Sequence, residues 1–148
     1  MADGKIGWPA PGGPPVITAV LVGVLGVAGA LLRFGVDSWF AHHSSIRSTR
    51  AAGSAERLHW PWATLLVNVA GCLIIGAAHG STAGLGLGAE WQAGLATGLA
   101  GGLTTFSSWT TATVRLLSEE RFGAAAVNIA ANLVLGFAAA AAGIALVS

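Results

Sequence analysis

The chain reads as an all-α membrane protein of four transmembrane helices, the third of them broken. Three observations predict this. Of its 148 residues, 54% are hydrophobic and only 9% are charged, against about 25% charged in an ordinary soluble domain. Four apolar runs are each long enough to cross a hydrocarbon core of about 30 Å, which takes roughly 20 helical residues. The third run is too long for one crossing, and Gly101-Gly102-Leu-Thr-Thr-Phe-Ser-Ser-Trp109 lies at its middle.

Residues 1–15 hold Asp3, Lys5 and Pro9, Pro11, Pro14 and Pro15. They read as a flexible tail and not as a signal peptide, which would carry a continuous apolar core. The first span is 16–35, followed by a polar loop over 36–60. The second is 61–79, entered by Pro61, whose missing N–H costs nothing in a first turn. A Gly-rich loop, 80–90, leads to the third span, 91–117. A short turn around Ser118–Phe122 leads to the fourth, 123–147.

The third span would reach roughly 40 Å as one straight helix. Either tilt or a break must absorb the excess. Gly101-Gly102 followed by Thr104-Thr105 is where a break is expected, because glycine and β-branched residues weaken a helix locally. Freed backbone groups are tolerated at membrane depth only inside protein or against an ion or water. A break here therefore implies a buried site.

Charge sets an orientation. Arg47, Arg50, Arg57, Arg115 and Arg121 lie on one side of this topology and Lys5 on the other, so the positive-inside rule turns both termini outward. Gly94, Gly98 and Gly102 repeat every four residues, and Gly23, Gly26 and Gly29 line the first span. Such small-residue tracks let helix backbones approach closely. Four spans can barely enclose a site, so an oligomer is expected. The formal charge of +1 and the scattered basic residues give no sign of a nucleic-acid partner. The single Cys72 cannot form an internal disulfide.

No carboxylate sits at mid-depth in any span; Asp37 and Glu90 lie at span ends. That argues against a proton-coupled transporter or a small exporter of cationic drugs, which would want one. No nucleophile–base pair or phosphate loop suggests an enzyme. The buried polar groups are neutral: Thr64 and Asn68 on the second span, Thr104 to Thr111 on the third, Asn128 and Asn132 on the fourth. Both Thr64/Asn68 and Asn128/Asn132 have i, i+4 spacing, which places each pair on one helix face. Amide and hydroxyl donors, with the electropositive edges of Phe106 and Trp109, suit a small anion without trapping it. Each residue taken singly reads as interhelical glue or packing; the constellation does not.

These residues resemble the CrcB/Fluc fluoride channels. Three motifs carry the likeness: Gly26-Val-Ala-Gly-Ala-Leu-Leu-Arg33-Phe34, Thr64-Leu-Leu-Val-Asn68-Val-Ala-Gly71-Cys72, and Gly101-Gly102-Leu-Thr104-Thr105-Phe106-Ser107. The resemblance implies a multi-pass protein of the cell membrane, an antiparallel dimer of four-helix subunits. It implies two narrow fluoride pathways at the subunit interface and a central sodium ion held by main-chain carbonyls, here Gly101 and Thr104. The pathway would take Asn68, Thr64, Phe106, Trp109, Ser107, Ser108, Asn128 and Asn132, with Arg33 near a vestibule. Its purpose would be passive export of fluoride that entered as HF.

The chain departs from the family pattern at four positions. It has Trp109 where the second aromatic is usually Phe, Ala112 where a Glu is common, and Asn128 and Asn132 where Tyr and Ser are usual. Single-gene relatives insert in both orientations with little Arg/Lys asymmetry. The bias here suggests an orientation-fixed, partly degenerate subunit paired with an oppositely oriented homologue, as the alternative to a homodimer.

Overall fold

A computed structural model describes residues 15–50, 60–84 and 86–147. The predicted tail up to residue 14 and part of the polar loop, with Arg57, lie outside the described residues, and Pro15, the last tail residue, instead opens α1. Every described element is helical. In chain order these are α1 (Pro15–Arg50), α2 (Trp62–Gly84), α3 (Ala89–Ala93), a π-helical segment (Gly94–Ala100), α4 (Gly101–Leu103), α5 (Phe106–Ser118) and α6 (Phe122–Val147). Three helices are long and apolar enough to span a membrane, within Val16–His43, Trp62–Ser81 and Phe122–Val147. The remaining segment, from α3 to α5, is broken into pieces, none of which spans alone. The protein is a multi-pass membrane protein.

Where a polar loop was expected to begin, at residue 36, α1 instead continues as helix to Arg50. Its 36 residues reach about 54 Å at 1.5 Å each, well beyond the apolar core. Polarity ends a span, but only a breaker or a cap ends a helix, and residues 36–50 hold neither Gly nor Pro. One turn of this extension is braced by Trp39 and His43, whose rings lie 4.4 Å apart, with His43 Nδ1 3.0 Å from the Trp39 carbonyl. At the start of α2 the Pro61 carbonyl accepts the Leu65 N–H at 3.1 Å. That leaves the proline just outside the helix, where its missing donor is harmless.

Close backbone contact holds the bundle together. A Cβ on Gly102 would collide with the Gly26 carbonyl, and one on Gly29 with the Leu99 carbonyl. The small-residue tracks on α1 and on the π and α4 segments are thus one seam. α2 and α6 form a second, where Gly76 lies against Ala140, and Gly143 against Leu73 and Ala77. The buried apolar core is thin and made partly of small residues: Leu65, Val67, Ala78, Ala100, Leu103, Leu116 and Ala125. Large apolar side chains such as Val24, Leu31, Phe34, Val134 and Phe137 are exposed. In water such a surface would aggregate; against lipid or another subunit it is the expected outside.

The break falls at Thr104 and Thr105, both extended (φ −74°, ψ 155° and φ −146°, ψ 112°). Gly101 is ordinary right-handed helix (φ −63°, ψ −38°). The glycine pair therefore does not bend the chain; the two β-branched residues after it do. Upstream, the π segment widens the helix over Gly94–Ala100 and buries Gly94, Gly98 and Ala100. Such wide turns are rare and often accompany functional sites.

α5 ends in a Schellman cap. Glu120 takes the left-handed conformation (φ 57°). The Arg121 N–H donates to the Leu116 carbonyl at 2.9 Å, and the Glu120 N–H to that of Leu117 at 3.0 Å, as this motif requires. The reversal puts α6 beside α5 after a very short turn.

Candidate ion pathway at the helix break

Breaking a helix in lipid exposes peptide groups that cost several kcal/mol each if left unpaired. Asn68, projecting from α2, answers both groups of Thr105. Its Oδ1 accepts the Thr105 N–H at 2.9 Å, and its Nδ2 donates to the Thr105 carbonyl at 3.4 Å. One carboxamide does the work of a neighbouring strand. Thr105 Oγ1 then caps α5, accepting the Ser108 N–H at 3.2 Å and donating to Ser108 Oγ at 3.0 Å. Ser107 Oγ lies 3.3 Å from the same hydroxyl.

These bonds have a consequence for two carbonyls. In an unbroken helix the Thr105 N–H would serve the Gly101 carbonyl and the Ser108 N–H that of Thr104. Here both donors are diverted, to Asn68 Oδ1 and Thr105 Oγ1. The carbonyls of Gly101 and Thr104 therefore lose the donors that a continuous helix would give them. In the chain Gly101 is exposed and Thr104 half-buried.

From Asn68 a ladder of neutral groups runs to α6 and back to α5. Asn68 Nδ2 donates to Asn132 Oδ1 at 3.1 Å. Asn132 Nδ2 donates to the Asn128 carbonyl at 2.9 Å and reaches Asn128 Oδ1 at 3.3 Å. Asn128 Nδ2 donates to Thr113 Oγ1 at 2.9 Å, and Thr113 Oγ1 to the Trp109 carbonyl at 2.8 Å. Asn128 is fully buried. No fixed charge enters the chain of contacts.

Residues 20–144 match the family described as CrcB-like protein, Camphor Resistance (CrcB). The chain belongs to this family. It is 49% identical over 121 residues to the fluoride-specific ion channel FluC of Renibacterium salmoninarum, covering 82% of this chain and 91% of that one. It is 40% identical over 131 residues to fluoride-specific ion channel FluC 1 of Thermobifida fusca, covering 88% and 96%, and 38% identical over 129 residues to the FluC of Pseudomonas fluorescens strain Pf0-1, covering 84% and 93%. Membership in the CrcB-like family places the chain among ion channels, not enzymes.

The other residues singled out from the sequence are spread over three helices of this CrcB-like chain. Phe106 is 72% exposed and meets Trp109 edge to face, with centroids 5.4 Å apart. Its ring is therefore presented on the outside of the helical bundle. Trp109 is half-buried, and its indole N–H donates to the Asn128 carbonyl at 3.4 Å. Thr64 is buried one turn before Asn68. Ser107 is exposed and Ser108 half-buried at the start of α5. Arg33 is half-buried on α1, and the ladder does not include it.

Two members of the network were not assigned to the pathway from the sequence: Thr105, which was placed only at the break and among the polar groups of the third span, and Thr113. A signal for Thr105 existed. A threonine three residues before a helical N–H is a preferred N-cap. Thr113, one turn beyond Trp109, looks in sequence like any hydroxyl bonding its own helix.

Proposed function

We propose that the chain is a subunit of a fluoride-specific channel that lets fluoride leave the cell passively, assembled as an antiparallel dimer around a central sodium ion. The observation that carries this reading is the helix break stitched by Asn68, at a depth where neutral donors and ring edges gather and carboxylates are absent. A small anion is best served by such groups, which replace part of its hydration without holding it. The α5 N-terminus adds positive potential at the same place. Relatives named as fluoride-specific channels support the choice of anion.

The residues at the break fit the sodium ion. Unwound carbonyls are the usual main-chain ligands for this cation at membrane depth, and Gly101 and Thr104 are among those whose helical donors bond elsewhere. When bound, the ion would supply a fixed positive charge and tie the broken segments of two subunits together. The exposed Phe106 ring would then be a group that one subunit offers to a pathway completed by the other.

A second reading has its own support. The one-sided arginines and the departures at Trp109, Asn128 and Asn132 favour a heterodimer with an oppositely oriented homologue. Fluoride efflux from liposomes separates the two. Robust efflux from the purified chain alone supports the homodimer. Efflux only when a homologue of opposite Arg/Lys bias is added supports the heterodimer. Silence in both cases rejects the channel.

A further inference from the structure

The ladder has a direction, and backbone groups at its two ends set it. The Thr105 N–H can only donate, so the Asn68 atom facing it is oxygen, and the Asn68 NH2 turns toward Asn132. The Asn128 carbonyl can only accept, so the Asn132 atom on it is nitrogen, and the Asn132 oxygen turns back toward Asn68. The contact between the two side chains is therefore N–H from Asn68 to oxygen on Asn132, at 3.1 Å. Turning Asn132 over would place two amide nitrogens face to face and sacrifice the 2.9 Å bond to Asn128.

We infer that Asn132 is an internal competitor for the anion: its amide oxygen occupies the Asn68 donor that fluoride would use. This inference rests on the channel reading above. Both Asn68 N–H groups are already engaged, one by the Thr105 carbonyl and one by Asn132. The Trp109 N–H is engaged as well, on the carbonyl that also holds Asn132. An anion reaching Asn68 must displace a partial negative charge that already sits there. Asn132 thus sets the affinity of this step, and does so against the anion. A residue that merely lined the route, or merely glued helices, would act in the opposite sense or not at all.

The test is fluoride efflux from liposomes, measured over a range of fluoride concentrations for wild type, Asn132→Ser and Asn132→Asp. Serine can still bond the Asn128 carbonyl one turn back but is too short to reach Asn68. It is expected to lower the half-saturating fluoride concentration roughly fivefold, the worth of one net neutral hydrogen bond. Aspartate keeps an oxygen on Asn68 and adds charge, so it is expected to suppress flux at neutral pH. If Asn132→Ser does not assemble, Asn132→Ala, which also lacks the competing oxygen, takes its place with the same expectation. Conduction by wild type with lower or unchanged fluoride affinity in the Ser variant overturns the inference and leaves the channel intact. So does undiminished flux in the Asp variant. Silence of the wild type, alone and with an oppositely oriented homologue, overturns the channel reading and this inference with it.

Discussion

Asn68 on α2 and Thr105 in the helix break, 37 positions apart, share two hydrogen bonds that the broken helix itself does not make. The pair explains how an extended stretch persists with Thr105 buried. Replacing Asn68 by Ala would leave the Thr105 N–H and carbonyl without their partner. Each such group costs about 1–3 kcal/mol. The expected result is a clear drop in the thermal midpoint in detergent, with the assembly still formed, and faster hydrogen exchange at the Thr105 amide. Asn68→Asp keeps the acceptor for that amide and should protect it better than Ala.

The two glycine seams predict a contrast. A methyl group at Gly76 or Gly143 meets backbone that cannot retreat, so alanine at either is expected to destabilise by about 1–3 kcal/mol. Gly101 has open space around it in the single subunit. Gly101→Ala should therefore leave the subunit fold intact. If the proposed ion and partner sit there, it should still weaken the dimer and its sodium dependence, read by crosslinking and by efflux with and without sodium.

How much of this was legible beforehand depended on which property each residue wrote into the sequence. The break was legible because an over-long apolar run held Gly-Gly and Thr-Thr. Its residue was not, because a glycine can serve close packing as well as weaken a helix, and contact with Gly26 settled that use for Gly102. The continuation of α1 to Arg50 was hidden because polarity marks the end of a span and not of a helix. That Asn128 and Asn132 share a face followed from spacing. Which end of each amide points where did not, since it is set by Thr105 and by the Asn128 carbonyl across helices that the sequence keeps far apart.

Glu120 holds a left-handed conformation that costs a side chain roughly 1 kcal/mol and glycine almost nothing. Glu120→Gly is expected to raise stability by about that amount, shown by a higher thermal midpoint with unchanged helical circular dichroism. Loss of stability would mean that the carboxylate is needed in the turn.

The same turn carries a weak pH dependence. Arg115 Nε donates to Glu119 Oε1 at 2.8 Å, and Arg121 lies 3.6 Å from the other oxygen. The Arg115 hydrogen bond chiefly, with the charges of both arginines, holds the Glu119 carboxyl below its ordinary value. A carboxyl lowered on folding stabilises above its unfolded pKa and loses that contribution as pH falls through the lowered one. Thermal midpoints should therefore decline more steeply on the acid side of the carboxylate range in wild type than in Glu119→Gln. The group is exposed, so the difference will be small and will shrink in high salt.

The most direct test of the central claim, that the Asn68-supported break forms a fluoride route, is initial fluoride efflux from liposomes carrying equal amounts of assembled wild type or Asn68→Ala, with the opposing homologue supplied if wild type requires it. The expected result is rapid efflux of fluoride and not chloride from wild type, reduced at least tenfold by the substitution, since that side chain both supplies a donor and positions the break. Equal fluoride efflux from the two proteins would contradict it.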